Sequence, residues 1–234
     1  MEDGSPMGKQ PLIIAHRGFS ARYPENTLAA VRAAMRLGVD MVEVDVQETH
    51  DAELIVFHDY RLDRVCGVRG RVRDTTFAEM RRLNRAVPTL AEVLRACRGK
   101  TRVLIEIKRA DPRKVTALVR EFGMERNVIV FSLSIPRLKA LAQSNPRITR
   151  FGLIARNLDA SLRRWHRLLE VQGVGVSRRL VRSRTVVERI HRRGWKLFVW
   201  TVNRRAEMAW LAAWGVDGII TNHPDRAKSC LARR

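Results

Sequence analysis

Short apolar runs alternate with amphipathic stretches along almost the whole chain. Leu12–Ala15 reads as a strand. A helix over Asn26–Leu37 follows, with Leu28, Val31 and Met35 at helical spacing, Asn26 as the expected N-cap and Gly38 as its stop. Met41–Val46 is the next strand, and Leu54–Phe57 reads as a short extra strand hairpinned onto it. Helices are expected over Thr75–Leu83 and Thr89–Cys97. Six more strands follow at Val103–Lys108, Val128–Phe131, Phe151–Ile154, Val174–Ser177, Lys196–Trp200 and Gly218–Thr221. Helical patterns separate them, starting near Pro112 and Ile135 and then covering about 158–169, 185–193 and 206–214. Setting the extra strand aside, eight strands alternate with helices. That pattern predicts α/β class and one closed parallel sheet, a single (β/α)8 TIM barrel with a short extra strand or hairpin after the second strand. No glycine-rich fingerprint follows Leu12–Ala15, which argues against an open dinucleotide-binding sheet. Residues 11–234 are expected to form one domain, and 1–10 a polar, disordered tail.

In such a barrel the chemistry belongs at the C-terminal ends of the strands. Those ends are polar in an otherwise apolar pattern. The first strand ends at His16-Arg17 and the extra strand at His58-Asp59, while Trp200-Thr201 and Thr221-Asn222 end the last two. Glu43 and Asp45 are two apart on one strand, so both face the interior while Val42, Val44 and Val46 face the helices. Glu106 and Lys108 repeat the arrangement. Three converging carboxylates repel one another unless a cation or basic partners neutralise them. Oxygen ligands suit one divalent cation, Mg²⁺ or Ca²⁺, rather than zinc. The alternative is inner ion pairing of Glu43, Asp45 and Glu106 with Arg17 and Lys108. With a metal present, Arg17 and Lys108 become candidate phosphate contacts, a planar fork and a point charge. His16 and His58 sit at strand ends of the same face, and imidazole titrates near neutrality, as acid–base catalysis requires. His50, His166, His191 and His223 have no such setting.

Composition changes the picture in one respect. The 234 residues carry a net charge of +21, and of 45 basic residues only seven are lysines. Such a surface draws phosphates, anionic membranes or nucleic acid. The arginines are spread over nearly every predicted helix, the pattern of solvated faces rather than of a binding tail. Aromatic content of 6% offers little for base stacking, which disfavours nucleic acid as a partner. Three scattered cysteines make neither a disulfide framework nor a zinc site. No secretory leader or membrane-length apolar run is visible, so a soluble, cytoplasmic protein is expected. Oligomeric state is open.

The residues at the strand ends also resemble a family signature. His16-Arg17-Gly18, then Pro24-Glu25-Asn26-Thr27, Glu43-Val44-Asp45-Val46, Thr49 with Asp51, His58-Asp59, Pro88-Thr89-Leu90, Glu106-Ile107-Lys108, Trp200-Thr201-Val202-Asn203 and Thr221-Asn222 occur in the order found in glycerophosphodiester phosphodiesterases. The resemblance implies a divalent metal and cleavage of a glycerophosphodiester to glycerol 3-phosphate and an alcohol. It implies that His16 and His58 are the catalytic acid–base pair and that Glu43, Asp45 and Glu106 hold the metal. By the same likeness Arg17 and Lys108 contact the phosphate, and Trp200 is an aromatic beside the substrate. Two departures stand out. Ala52 occupies a turn position where the family usually has Gly, and the stretch from His58 to Pro88 is short. A short stretch there predicts an open pocket able to take bulky or membrane-held head groups, hence lysophospholipase D-type activity on lysophospholipids as the alternative. The basic surface would then help docking on anionic membrane. The rivals from other classes are a basic barrel that binds anionic lipid or nucleic acid without catalysis, and another metal-dependent barrel enzyme.

Overall fold

The computed structural model describes residues 10–168 and 170–231. Its nine strands are β1 (Leu12–Ala15), β2 (Met41–Glu48), β3 (Leu54–Val56), β4 (Arg102–Arg109), β5 (Val128–Ser132), β6 (Thr149–Ile154), β7 (Gly173–Ser177), β8 (Lys196–Trp200) and β9 (Gly218–Thr221). Eight are parallel and run in the order β1-β9-β8-β7-β6-β5-β4-β2, and β1–β2 pairing closes the barrel. β3 lies outside the ring, antiparallel to β2, with Val46 opposite Val56. The predicted architecture and extra strand are both present.

The period of two along each strand splits the apolar residues into two cores. Val42, Val44, Val46, Val103, Ile105, Ile107, Val174, Val176, Leu197 and Val199 face the helices and form the large outer core. Ile14, Met41, Leu104, Phe131, Phe151, Leu153, Phe198 and Ile220 plug the interior. Phe151 and Phe198 are bulky, and glycines make room beside them. A Cβ on Gly173 would lie 2.6 Å from the Phe151 ring, and one on Gly218 2.6 Å from the Phe198 ring. β2 slips register between Val46 and Gln47, and the buried Gln47 side chain then donates to the carbonyls of Phe57 and Asp59. The end of the extra hairpin is fixed by that amide.

Local signals explain several helix starts. Thr76 and Thr89 each close a capping box with Glu79 and Glu92. Thr27, not Asn26, caps the first helix, Leu28–Arg36, and accepts from Ala30 N–H. Asn26 is turned elsewhere, into the barrel mouth. Four short elements were not foreseen: a helical turn at Asp63–Cys66, 3-10 turns at Val72–Asp74 and Arg178–Leu180, and the last helix, Pro224–Leu231. The stretch between His58 and Pro88 folds on its own small core of Ile55, Phe57, Leu62, Val72, Met80 and Val87. Of the expected tail, residues 1–9 lie outside the described residues; the Gln10 side chain donates to the Leu231 carbonyl. No described helix is long and apolar enough to cross a membrane.

Candidate active site

Every residue singled out from the strand ends lies at or near the C-terminal mouth of the barrel. Glu43 and Asp45 on β2 and Glu106 on β4 bring carboxylate oxygens within 4.8 Å of one another. Asp45 and Glu106 are register partners on neighbouring strands, which makes the approach unavoidable. Glu43 and Asp45 are each 1% exposed. Burial, aggravated by Asp45, pushes the Glu43 carboxyl well above its ordinary range. Burial and Asp45 also push Glu106 up to about 7. Burial raises Asp45 as well, but the Arg17 guanidinium and then Lys108 outweigh it and hold Asp45 below its ordinary value. The two cations therefore neutralise one carboxylate well and leave the other two short of positive charge. A donor set of three converging oxygens with that deficit fits a hard divalent cation.

The basic residues are held as part of the same constellation. Arg17 Nε lies 3.2 Å from Asp45 Oδ2, off the line of a hydrogen bond, and Nη1 donates to Glu25 at 3.1 Å. Lys108 Nζ reaches Glu106 at 3.3 Å and Asp45 at 3.7 Å. Burial opposes the Lys108 charge, yet Glu106 and Asp45 overcome it and raise its pKa. The Arg17 backbone takes a left-handed φ of 55°, which aims its N–H at Glu43 Oε2, 2.8 Å away. Asn26, at φ 58°, donates from Nδ2 to Asp45 Oδ2 at 2.9 Å.

The histidines stand in different settings. His16 Nδ1 meets Asn222 Oδ1 at 2.6 Å, an acceptor, so Nδ1 carries the hydrogen and Nε2 is left with a lone pair. Nε2 faces Glu43 at 3.9 Å. Burial and then the neighbouring Arg17 lower the His16 pKa to about 4. His58 Nδ1 meets the Asp59 carboxylate at 2.6 Å. Asp59 is held down at about 2, chiefly by its hydrogen bond from Arg64. Arg64 spans the gap to Glu25, which also receives Arg17, so one chain of ion pairs joins His58 to Arg17. Trp200 packs against the inner core at the mouth, and its buried indole N–H has no partner among the described residues.

The supporting residues Asn26, Gln47, Asp59, Arg64 and Asn222 were not identified from sequence as supports for the site. Their side chains matter through hydrogen bonds that close only in three dimensions. Two signals were available: Asp59 and Asn222 stand within the polar strand-end segments, and Asn26, Asp59 and Asn222 all fall within the signature segments.

Comparison with known proteins identifies the family. The model of the glycerophosphoryl diester phosphodiesterase family matches residues 16–226. YhdW of Bacillus subtilis (strain 168) is 36% identical over 91% of this chain and 95% of its own length. A glycerophosphodiester phosphodiesterase of Caldanaerobacter subterraneus is 34% identical over 92% of this chain and 95% of the relative. The crystal structure of a glycerophosphodiester phosphodiesterase from Agrobacterium tumefaciens superposes with a TM-score of 0.81 at 30% identity, covering 94% of this chain and 99% of that one.

Proposed function

Because the chain belongs to the glycerophosphoryl diester phosphodiesterase family, we propose that it hydrolyses glycerophosphodiesters to glycerol 3-phosphate and an alcohol by two-histidine acid–base catalysis at a divalent metal site. The observation that carries the reading is the meeting of Glu43, Asp45 and Glu106 within 4.8 Å, among His16, Arg17 and Lys108. Glu43, Asp45 and Glu106 would hold one Mg²⁺ or Ca²⁺. When bound, that ion supplies Lewis-acid polarisation of a phosphoryl oxygen.

The chain's own groups supply the rest. Arg17 and Lys108 grip the phosphate oxygens, the guanidinium by its fork and the ammonium as a point charge. His16 is neutral at physiological pH with Nε2 unprotonated, so it takes the proton from the attacking hydroxyl. That hydroxyl belongs to water, or to the substrate's glycerol, whose cyclic phosphate water then opens. As the new P–O bond forms, the P–O bond to the alcohol breaks. His58, backed by the ionised Asp59, gives its proton to the departing alkoxide. Trp200 packs beside the substrate and offers its unpartnered N–H.

The test is hydrolysis of glycerophosphocholine by purified protein with EDTA, Mg²⁺ or Ca²⁺, read as glycerol 3-phosphate released. Release with metal, abolished by EDTA and by His16→Ala, is the expected result. No release under any condition would overturn the reading. Lysophosphatidylcholine, free and in anionic vesicles, forms a parallel arm for the lysophospholipase alternative and for membrane docking, both favoured by the basic surface.

A further inference from the structure

Beside the phosphate-binding residues lies a second cleft that the reaction described above does not use. It has a volume of about 420 Å³ and is lined by Tyr60, Lys108, Arg61, Arg71, Arg73, Arg109 and Arg137. Tyr60, Arg61 and Lys108 also line the cleft that holds His58, so the two share a wall. The arginines are not equivalent. Arg61 is tied to Asp63 by two bonds of 3.0 Å, and Arg73 lies 3.3 Å from Asp74. Arg71, Arg109 and Arg137 pair with no carboxylate among the described residues. Arg109 lies over the Tyr60 ring at 5.7 Å, which holds its guanidinium at the cleft wall. Three elements distant in sequence contribute these cations: the turn before Val72–Asp74, the end of β4, and the first turn of the helix Ile135–Ser144.

Unpaired guanidinium groups converging on one concavity make a local positive potential, and their planar forks match phosphate. Lys108 stands on the boundary, facing Glu106 and Asp45 on one side and the arginines on the other. A second anionic group on the alcohol of a phosphodiester held at Lys108 would therefore face this cleft across the shared wall. Resting on the reaction proposed above, we propose that this cleft is a specificity subsite for the alcohol portion of the substrate, and that it selects glycerophosphodiesters whose alcohol carries a second phosphate.

The test pairs glycerophosphoinositol with the same compound bearing one phosphate monoester on the ring, at fixed ionic strength and excess metal. Wild-type protein is expected to favour the phosphorylated compound by at least about tenfold in kcat/KM, through KM. Arg71→Ala/Arg137→Ala removes that preference and leaves the unphosphorylated compound unchanged. A control pair on an exposed helix, Arg163→Ala/Arg167→Ala, lowers the net charge equally and keeps the preference. Equal kcat/KM for the two compounds in wild type, or equal loss of preference in both double variants, would overturn the subsite. If inorganic phosphate accelerates the unphosphorylated compound, and only with Arg71 and Arg137 present, the cleft serves a free anion and the proposal falls. Equilibrium binding of both compounds to His16→Ala protein separates this idea from the reaction itself. Tighter binding of the phosphorylated compound that depends on Arg71 and Arg137, with no hydrolysis by wild type, would keep the subsite and sink the hydrolytic reading.

Discussion

The two ends of the barrel are built from the same strands and obey opposite rules. At the floor, turns that need a left-handed residue use glycine: Gly38, Gly99, Gly123, Gly194 and Gly215 follow helices there. At the mouth, Gly18 is joined in that conformation by Arg17, Asn26, Ala52 and Asn157; at Arg17 and Ala52 the side chain makes that backbone costly by about 1–2 kcal/mol each, and less at the asparagines. The floor's acidic groups are satisfied. Asp40 accepts from Ile13 N–H, and Asp217 accepts from Leu197 N–H, His191 and Lys196. At the mouth two carboxyls are not: burial and Asp45 hold Glu43 far above its ordinary range and push Glu106 up to about 7, while Arg17 Nε and Trp200 Nε1 are buried there without hydrogen-bond partners among the described residues. The contrast separates residues kept for stability from residues kept for chemistry. It also says what substitution at each end should do.

The largest effects belong to the mouth and fall on activity. His16→Ala should lower kcat/KM for a glycerophosphodiester by about 10²–10⁴-fold, the range for loss of an acid–base group. Glu43→Gln should be equally damaging to turnover, yet leave the metal-free melting temperature unchanged or higher. It removes a buried charge that Asp45 repels, and the amide oxygen can still accept from Arg17 N–H. A clear fall in melting temperature would break the comparison, because Glu43 would then be a structural residue.

The next effect belongs to the floor and falls on stability. Asp217→Ala strands Lys196, the His191 ring and one strand N–H, and should cost about 2 kcal/mol while leaving kcat/KM intact well below the melting point. The pH dependence carries a sign. Burial opposes the Asp217 charge, but Lys196 and the Leu197 N–H prevail and lower its folded pKa. A depressed carboxyl contributes its stability above the unfolded value of about 3.9 and loses it as pH falls through the folded value. The melting-temperature gap between wild type and Asp217→Asn should therefore be full at pH 6 and shrink below about pH 4. A gap that widens in acid would contradict the assignment.

The same contrast explains what sequence alone could convey. Periodicity located all nine strands, and the bounds of β1, β8 and β9 match the expectation residue for residue, because strand burial is a local pattern. The carboxylates and their inward direction were also legible, since spacing by two on a strand fixes the face. Less legible was anything set by a partner elsewhere in the chain. Asn26 has the composition of an N-cap, but its amide is drawn 19 residues away to Asp45, and Thr27 takes the capping role. Arg64 is one of 38 arginines, and only the fold shows that it bridges Asp59 to Glu25. The turns between His58 and Pro88 have weak apolar periodicity because each adds only one or two residues to a small shared core.

The smallest effect tests the contrast where no chemistry is at stake. Ala52 sits in the turn between β2 and β3, at the mouth end, with φ 64°. Its own N–H bonds the Thr49 carbonyl, and Thr49 and Asp51 hold the rest of the turn, so neighbours impose the conformation. Ala52→Gly should relieve about 1 kcal/mol of left-handed strain, offset in part by the greater freedom glycine has when unfolded. The net gain should be a few tenths of a kcal/mol, read as a small rise in melting temperature with kcat/KM unchanged. Arg17→Gly and Asn26→Gly relieve the same strain, yet each should lower activity, because those side chains hold Asp45. A rise in stability without loss of activity at all three positions would mean that the mouth's left-handed residues are incidental. Loss at Arg17 and Asn26 alone would tie the strain to the side chains it positions.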